Sequence, residues 1–402
     1  MKIISGSSKK KEVLVTKNYV LLILVSFCVQ IVFYIYILIT SKFAIEELGS
    51  SSAAAGIASS MYIVGSLFAR ILAGRLIGIM GYKKILLLFA ITNVIFSSGY
   101  LIVGNIYLLI VLRFLHGMSF GAISTAASTA VAEFIPLSRR GEGIGYFSLA
   151  QTMAAVFGPV FPIFLSNMGS YSLLFSISIF MSFAGVICTL LLTLGNRGVI
   201  PSDQKDRKFS IKQYLDFSSL RLGIVASIAF MCYASILSFM PIFTAEKGLL
   251  SASGFFFLFY AGAAFISRPT SGRIFDSKGA NTVIYPLLII IVSGILLYTF
   301  SFTGFMLLAS AFLLGTGIGG IQASTQAIVT IETPVERLGP ANSAFFAVCD
   351  VGFGLGPTIV GFLIPFMGYQ GMYIVTAFIA VANIGLYTII YGRKTIKKSS
   401  SK

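Results

Sequence analysis

Gly272-Arg273-Ile274-Phe275-Asp276-Ser277-Lys278-Gly279 repeats Gly74-Arg75-Leu76-Ile77-Gly78-Ile79-Met80-Gly81 at an offset of 198 residues. The same offset carries Arg70 into Arg268, and Gly117 and Gly121 into Gly315 and Gly319. It carries Pro136, Arg139 and Gly141 into Pro334, Arg337 and Gly339, and Gly158-Pro159 into Gly356-Pro357. Few of these are residues that lipid alone would select. They are backbone-shaping residues and positive charges, held at fixed spacing over about a hundred positions. Such a register marks a duplicated unit of membrane spans, the sequence pattern of many transporters.

The rest of the chain agrees. Of 402 residues, 57% are hydrophobic and 10% charged, against about 25% charged in a soluble domain. Mean hydropathy is +0.94. A span needs about 20 apolar residues, and twelve such segments are present. They include Tyr19–Ser41, Ala53–Leu72, Ile106–Val131 and Ile144–Leu165 in the first half. Gly254–Thr270, Phe305–Ile331 and Ser343–Phe366 are among those of the second. The expected fold is an all-α membrane protein of twelve transmembrane helices in two pseudo-symmetric six-helix bundles. Residues 1–194 form the first bundle, 195–220 a polar cytoplasmic linker, and 221–402 the second bundle with a basic tail. The first span is too long for a signal-peptide core and reads as an uncleaved helix.

A net charge of +16 invites a nucleic-acid reading, but its distribution argues against one. With the amino terminus in the cytoplasm, 26 of the 29 Lys and Arg sort to the inside, Arg70, Arg75, Arg268 and Arg273 among them. Lys42 and Lys247 fall outside, and Arg113 lies within a span. That bias places both termini in the cytoplasm of a cell membrane, and the basic charge serves topology and anionic headgroups. Cys28, Cys188, Cys232 and Cys349 all sit in spans, without metal or disulfide spacing. No Gly-rich phosphate loop is visible. The expectation is a monomer that is not an enzyme, carries no cofactor or metal, and deals with a small-molecule substrate, protons and the lipid bilayer.

The repeated loop resembles the signature loop of the major facilitator superfamily, a Gly, a polar stretch with Asp, then Gly and basic residues. The resemblance extends to the span count and the two halves. In that family the loop Asp holds a cytoplasmic gate closed against a helix end and basic residues of the facing half. Here Gly78 stands where the first Asp belongs and Asp276 where the second does. The resemblance therefore implies an asymmetric gate, with Asp276 facing Arg139 or Arg140 and with Arg70, Arg75, Arg268 and Arg273 as its other charges.

In the fourth span, Arg113-Phe114-Leu115-His116-Gly117 continues to Gly121. A charge at membrane depth normally faces a cavity or a partner. An Arg followed by small residues there resembles the superfamily's second motif, whose Arg is linked to proton coupling. His116 is the single His, a ring that suits proton relay or plain hydrogen bonding. In the fifth span, Ala154-Ala155-Val156-Phe157-Gly158-Pro159 resembles the motif of antiporter members, although Pro162 replaces a downstream Gly. Gly117, Gly121, Gly158, Pro159, Gly356 and Pro357 are expected to bend helices or let them approach closely.

Asp350 is the single acid deep in a span. A carboxylate there can be neutral when desolvated and ionised when water reaches it, the property a proton carrier needs. Arg113 is its expected counterpart from the other half. Gln30, Tyr34, Tyr36, Met61, Tyr62, Gln151, Phe256, Tyr260, Gln322 and Gln326 are the candidate cavity lining, a mixed aromatic, Met and amide surface suited to amphipathic compounds. The chain looks most like the twelve-span drug:proton antiporters. The function this implies is proton-coupled export of a small organic compound. Export of an endogenous product such as a metal chelator, or nutrient uptake, are the alternatives.

Overall fold

In the computed structural model, residues 14–158, 171–195 and 216–393 are described. Pro159, the remainder of the fifth span to Leu165, most of the linker and the basic tail lie outside them. The described residues hold twelve long helices: α1 (Lys17–Glu46), α2 (Ser52–Met80), α3 (Tyr82–Gly99), α4 (Ile106–Phe134), α5 (Arg140–Phe157), α6 (Tyr171–Leu190), α7 (Phe217–Glu246), α8 (Leu250–Lys278), α9 (Ala280–Thr299), α10 (Gly304–Glu332), α11 (Leu338–Gly361) and α12 (Ile364–Tyr387). Ten are long and apolar enough to cross a membrane. The other two, α5 and α8, carry charges at the ends that meet each other, Arg140 and Glu142 against Arg268, Arg273, Asp276 and Lys278.

The duplicated register reappears as duplicated local structure. Asn105 caps α4 by accepting from the Leu108 amide at 2.9 Å, and Thr303 caps α10 by accepting from the Met306 amide at 3.3 Å. Gly81 and Gly279 end α2 and α8 with φ of 79° and 82°, a backbone region that glycine enters without steric cost. Each lets the chain reverse directly into α3 or α9. Short 3-10 turns at Leu137–Arg139 and Val335–Arg337 lead into α5 and α11.

Packing follows the same two-fold scheme. Within the halves, α2 packs on α4 as α8 does on α10, and α1 on α5 as α7 does on α11. Between the halves, α2 crosses α11 and α5 crosses α8. The repeated register of small residues explains the closeness. A Cβ on Gly117 would strike the Tyr62 carbonyl, and one on Gly315 the Tyr260 carbonyl. A Cβ on Gly272 would strike the Gly141 carbonyl, and one on Gly339 would lie 2.7 Å from the Gly74 carbonyl. The first pair welds each half internally; the second closes the two halves against each other at the end that carries the repeated loops. Around the outside, Ile57, Val64, Phe68, Phe180, Phe305 and Phe378 are exposed, as befits a surface whose solvent is lipid.

Two expectations need correction. The apolar segments Ala53–Leu72 and Gly254–Thr270 end two residues after Arg70 and Arg268, but α2 and α8 run on to Met80 and Lys278. Arg70 and Arg268 therefore sit about 15 Å inside their helix ends at 1.5 Å per residue, not in loops. Helix α4 also runs unbroken through Gly117 and Gly121, so these glycines serve close packing rather than bending. Helix α11 likewise continues through Gly356 and Pro357 to Gly361. Replacing Gly117 or Gly315 with Val should lower the melting temperature of the purified protein by several degrees, since overpacking costs about 1–3 kcal/mol. Gly262→Ala on α8, where an added Cβ meets nothing within 4 Å, should leave it unchanged or slightly raised.

Candidate functional site

A cavity of about 190 Å³ lies between the two halves, more than ten times what one water needs. Its walls come from α1 (Gln30, Phe33, Tyr34), α2 (Tyr62, Ser66, Arg70), α5 (Gln151, Thr152, Ala155), α8 (Phe257, Tyr260, Arg268) and α11 (Phe346, Cys349, Asp350, Phe353). Phe120 and Ser124 of α4, Gln322 of α10, Phe230 and Tyr233 of α7, and Ile63 and Ala261 of α2 and α8 complete it. Of the candidate lining residues, Gln30, Tyr34, Tyr62, Gln151, Tyr260 and Gln322 are there. Gln326 is not: it is buried one turn further along α10. Tyr36 and Phe256 are also in the protein core, Tyr36 stacking on Tyr100 with centroids 4.1 Å apart. Phe257, one residue on, takes the place expected of Phe256.

Arg70 and Asp350 form an ion pair across the halves, Nε to Oδ2 at 2.7 Å. Arg70 is further held by Ser124 Oγ at 3.0 Å and Thr125 Oγ1 at 3.4 Å, both on α4. Its guanidinium lies over Phe346 at 5.1 Å from the ring centroid and over Phe120 at 5.7 Å. The Arg70 side chain is 5% exposed and that of Asp350 26%. The acid thus retains a face toward the cavity while its partner is walled in.

This pairing corrects the expected one. Arg113 does not meet Asp350. It is fully buried in the first half, donating to the carbonyls of Ala58 and Ser59 on α2, each at 3.2 Å. Its guanidinium lies 4.5 Å from the Tyr62 ring centroid. His116 stands beside it, hydrogen-bonded to Asn93 at 3.1 Å, Ser97 at 3.3 Å and Tyr100 at 3.3 Å. Both residues touch the cavity wall from behind, through Tyr62, whose ring lies 5.3 Å from that of His116.

At the basic end a second set of contacts joins α5 to α8. Asp276 accepts from the amides of Gly141 at 2.8 Å and Glu142 at 2.9 Å. It is an N-cap supplied by the opposite half, where the unpaired amides and the helix dipole favour an anion. The residue at the cap position, Arg139, supplies no side-chain cap of its own. Of the two arginines expected to face Asp276, Arg139 lies near enough for its charge to act on that carboxylate, while Arg140 turns to another helix. Arg139 pairs with Glu142 at 2.8 Å, and Arg140 donates to the Thr330 carbonyl at 2.7 Å. Arg273 reaches across to Glu142 at 2.8 Å and to the Tyr146 hydroxyl at 2.7 Å.

At the other crossing Gly78 and Pro340 occupy the register of Asp276 and Glu142. Pro340 has no amide hydrogen, so an acid at position 78 would find one donor fewer than Asp276 does. Asn342 bridges there instead, donating to Thr129 Oγ1 at 3.2 Å. Glu142, Ser124, Thr152 and Phe346 are site residues that sequence reading did not single out. Glu142 had one signal, an acid in the first turn after the repeated Pro-x-x-Arg element.

A model of the Major Facilitator Superfamily matches residues 22–355. The chain is 21% identical to the staphylopine export protein of Staphylococcus aureus, over 84% of this chain and 87% of that one. It is 25% identical to the multidrug resistance protein MdtG of Proteus mirabilis, over 88% and 90%. It is 22% identical to a multidrug efflux pump PmrA homologue of Lactococcus lactis, over 86% of each. The human organic anion transporter MFSD10 (TETRAN) shares the fold with a TM-score of 0.73 at 12% identity, over 92% of this chain and 98% of that one.

The latch can be measured. A lost N-cap costs about 1 kcal/mol, roughly a fivefold shift between two states. In a background without the four native cysteines, Asp276→Ala, which removes both acceptor oxygens, should raise maleimide labelling of a reporter Ser343→Cys severalfold. Ser343 is fully buried near the α11 crossing, so unchanged labelling would show that the cap does not hold this end closed.

Proposed function

Since the chain belongs to the Major Facilitator Superfamily, we propose that it is a proton-coupled secondary transporter exporting a small organic or amphipathic compound by alternating access. Both termini lie in the cytoplasm, and the basic end of the bundle is the cytoplasmic gate. The observation that carries the reading is the Arg70–Asp350 pair, which ties α2 to α11 at the cavity wall. Removing one member of a buried pair is costly, about 3–5 kcal/mol, so a proton arriving on Asp350 changes the balance between the bundles. A protonated Asp350 no longer holds the Arg70 guanidinium by charge, and the α2–α11 crossing is free to separate. Deprotonation toward the opposite side restores it.

Arg113, with His116 beside it, enters the mechanism as a fixed group behind Tyr62 rather than as the partner of Asp350. Arg139, Arg140, Arg273, Glu142 and Asp276 bias the gate, and Arg75 adds to the basic charge around it. Gly158 sits against Tyr34 of α1, and the likeness of residues 154–158 to the antiporter motif is what favours export over uptake. One proton moving across about 100 mV supplies about 2.3 kcal/mol, roughly fiftyfold accumulation.

The relatives named for drug efflux support a drug-like cargo. The relative named for staphylopine export supports a second reading, release of an endogenous product through the same cavity. In proteoliposomes with an imposed proton gradient, Asp350→Asn should abolish gradient-driven accumulation and keep downhill exchange. Full active transport by that variant would exclude Asp350 as the coupling group.

A further inference from the structure

The 198-residue register sets the two sides of the cavity against each other residue by residue. Arg70 corresponds to Arg268, Ser124 to Gln322, and Thr152 to Asp350. Both arginines use the same geometry. Arg70 donates to Ser124 of its own half, and Arg268 donates to Gln322 Oε1 of its own half at 2.8 Å. Each then reaches across to the other half. Arg70 finds the Asp350 carboxylate there; Arg268 finds the Ser148 carbonyl at 2.6 Å.

The second arginine therefore lacks a counter-ion. Among the described residues no carboxylate lies within ion-pair distance of Arg268. Arg268 is 6% exposed, and its Nε is buried without a hydrogen-bond partner. Thr152, where an acid would complete the symmetry, is 3% exposed and its hydroxyl is also buried without a partner. The charged lining of the cavity is two cations and one anion. Burying a guanidinium with no anion is costly unless something else neutralises it. The Tyr233 and Tyr260 rings, stacked 4.5 Å apart at 7°, give a flat aromatic surface on the same side of the cavity.

We infer that the cargo supplies the missing charge: the cavity takes an organic anion, an aromatic or amphipathic carboxylate, bound at Arg268 and Thr152. The carboxylate occupies toward Arg268 the part that Asp350 plays toward Arg70. The inference rests on the transport reading above and names its substrate class. It also separates the two arginines by task, one paired by the protein and one by the cargo. A lipophilic cation, by contrast, would enter a cavity whose net charge already opposes it.

The test uses the full chain in lipid nanodiscs and three probes that share one ring system: 2-naphthoate, 2-naphthamide and 2-naphthylmethylammonium. Ligand fluorescence reads the affinity directly, because the chain has no Trp. Naphthoate should bind at least tenfold more tightly than the other two. Arg268→Gln should erase that preference and Arg268→Lys should keep part of it. Thr152→Asp leaves Arg268 in place and gives it a protein counter-ion; it should weaken naphthoate at least tenfold and leave the amide little changed. Equal or tighter binding of the ammonium, unchanged naphthoate affinity in a folded Arg268→Gln or Thr152→Asp protein, or no naphthoate binding below millimolar concentration would each overturn the inference. Gradient-driven transport is measured separately. Discrimination among the probes without transport would leave the anion site standing and remove the transport reading; proton-driven transport with a preference for the ammonium would do the reverse.

Discussion

Two helices from different halves can cross only as closely as their smallest residues permit, and everything at this site depends on that limit. Gly141 lies against Gly272, and Gly339 against Gly74, with no room for a Cβ. These two contacts shut the basic end and bring α5 to α8 and α2 to α11. A side chain one turn further in then spans from one half to the other. Arg70 and Arg268 each stand four residues before a contact glycine, one helical turn deeper than the closure. Their reach across the interface follows from the glycine contact, because a wider crossing would leave the guanidinium groups short of Asp350 and the Ser148 carbonyl.

Much of the fold is legible in the sequence for the same reason. The duplicated positions are those where geometry leaves no choice: a positive φ at Gly81 and Gly279, caps at Asn105 and Thr303, close contacts at Gly117 and Gly315. Hydropathy alone places the spans but mislays their ends. A charge reads as the edge of the membrane, although α2 and α8 carry an arginine well inside the helix and continue. That error hid the partner of Asp350. The acid was found because it is alone at depth, but depth singled out Arg113 as its mate, and only the crossing of α2 and α11 selects Arg70. Glu142 was missed because an acid at a helix start ordinarily reads as solvated, and its role depends on Arg273 arriving from another bundle.

A shared scaffold with unshared charges has a physical logic. If both crossings carried the same ion pair, both would respond to a proton alike, and the cavity between them would be neutral without cargo. Placing the acid on one crossing leaves the other arginine to be satisfied by something that enters. Pro340 opposite Gly78 works in the same direction at the gate. It removes an amide that an acid at position 78 would need, so the cap that Asp276 gives α5 has no full counterpart in the register of the other crossing.

The two sets of charges differ in what they can accomplish. Arg273 is 56% exposed where it meets Glu142, and a pair that solvent screens contributes about 0–1 kcal/mol. Such a latch biases a two-state equilibrium by a small factor and yields to thermal motion. The Arg70 side chain is 5% exposed, and leaving it unpaired costs several times more. A shift of a two-state system from nearly all one form to nearly all the other needs about 5.5 kcal/mol. The gate contacts fall short of that on their own. The buried pair comes close, and the gate contacts added to it reach the required range. For the proposed transport cycle these sizes set an order: loss of the Arg70–Asp350 pair is the step large enough to move the bundles, and the contacts of Asp276 and Glu142 set how readily the basic end follows.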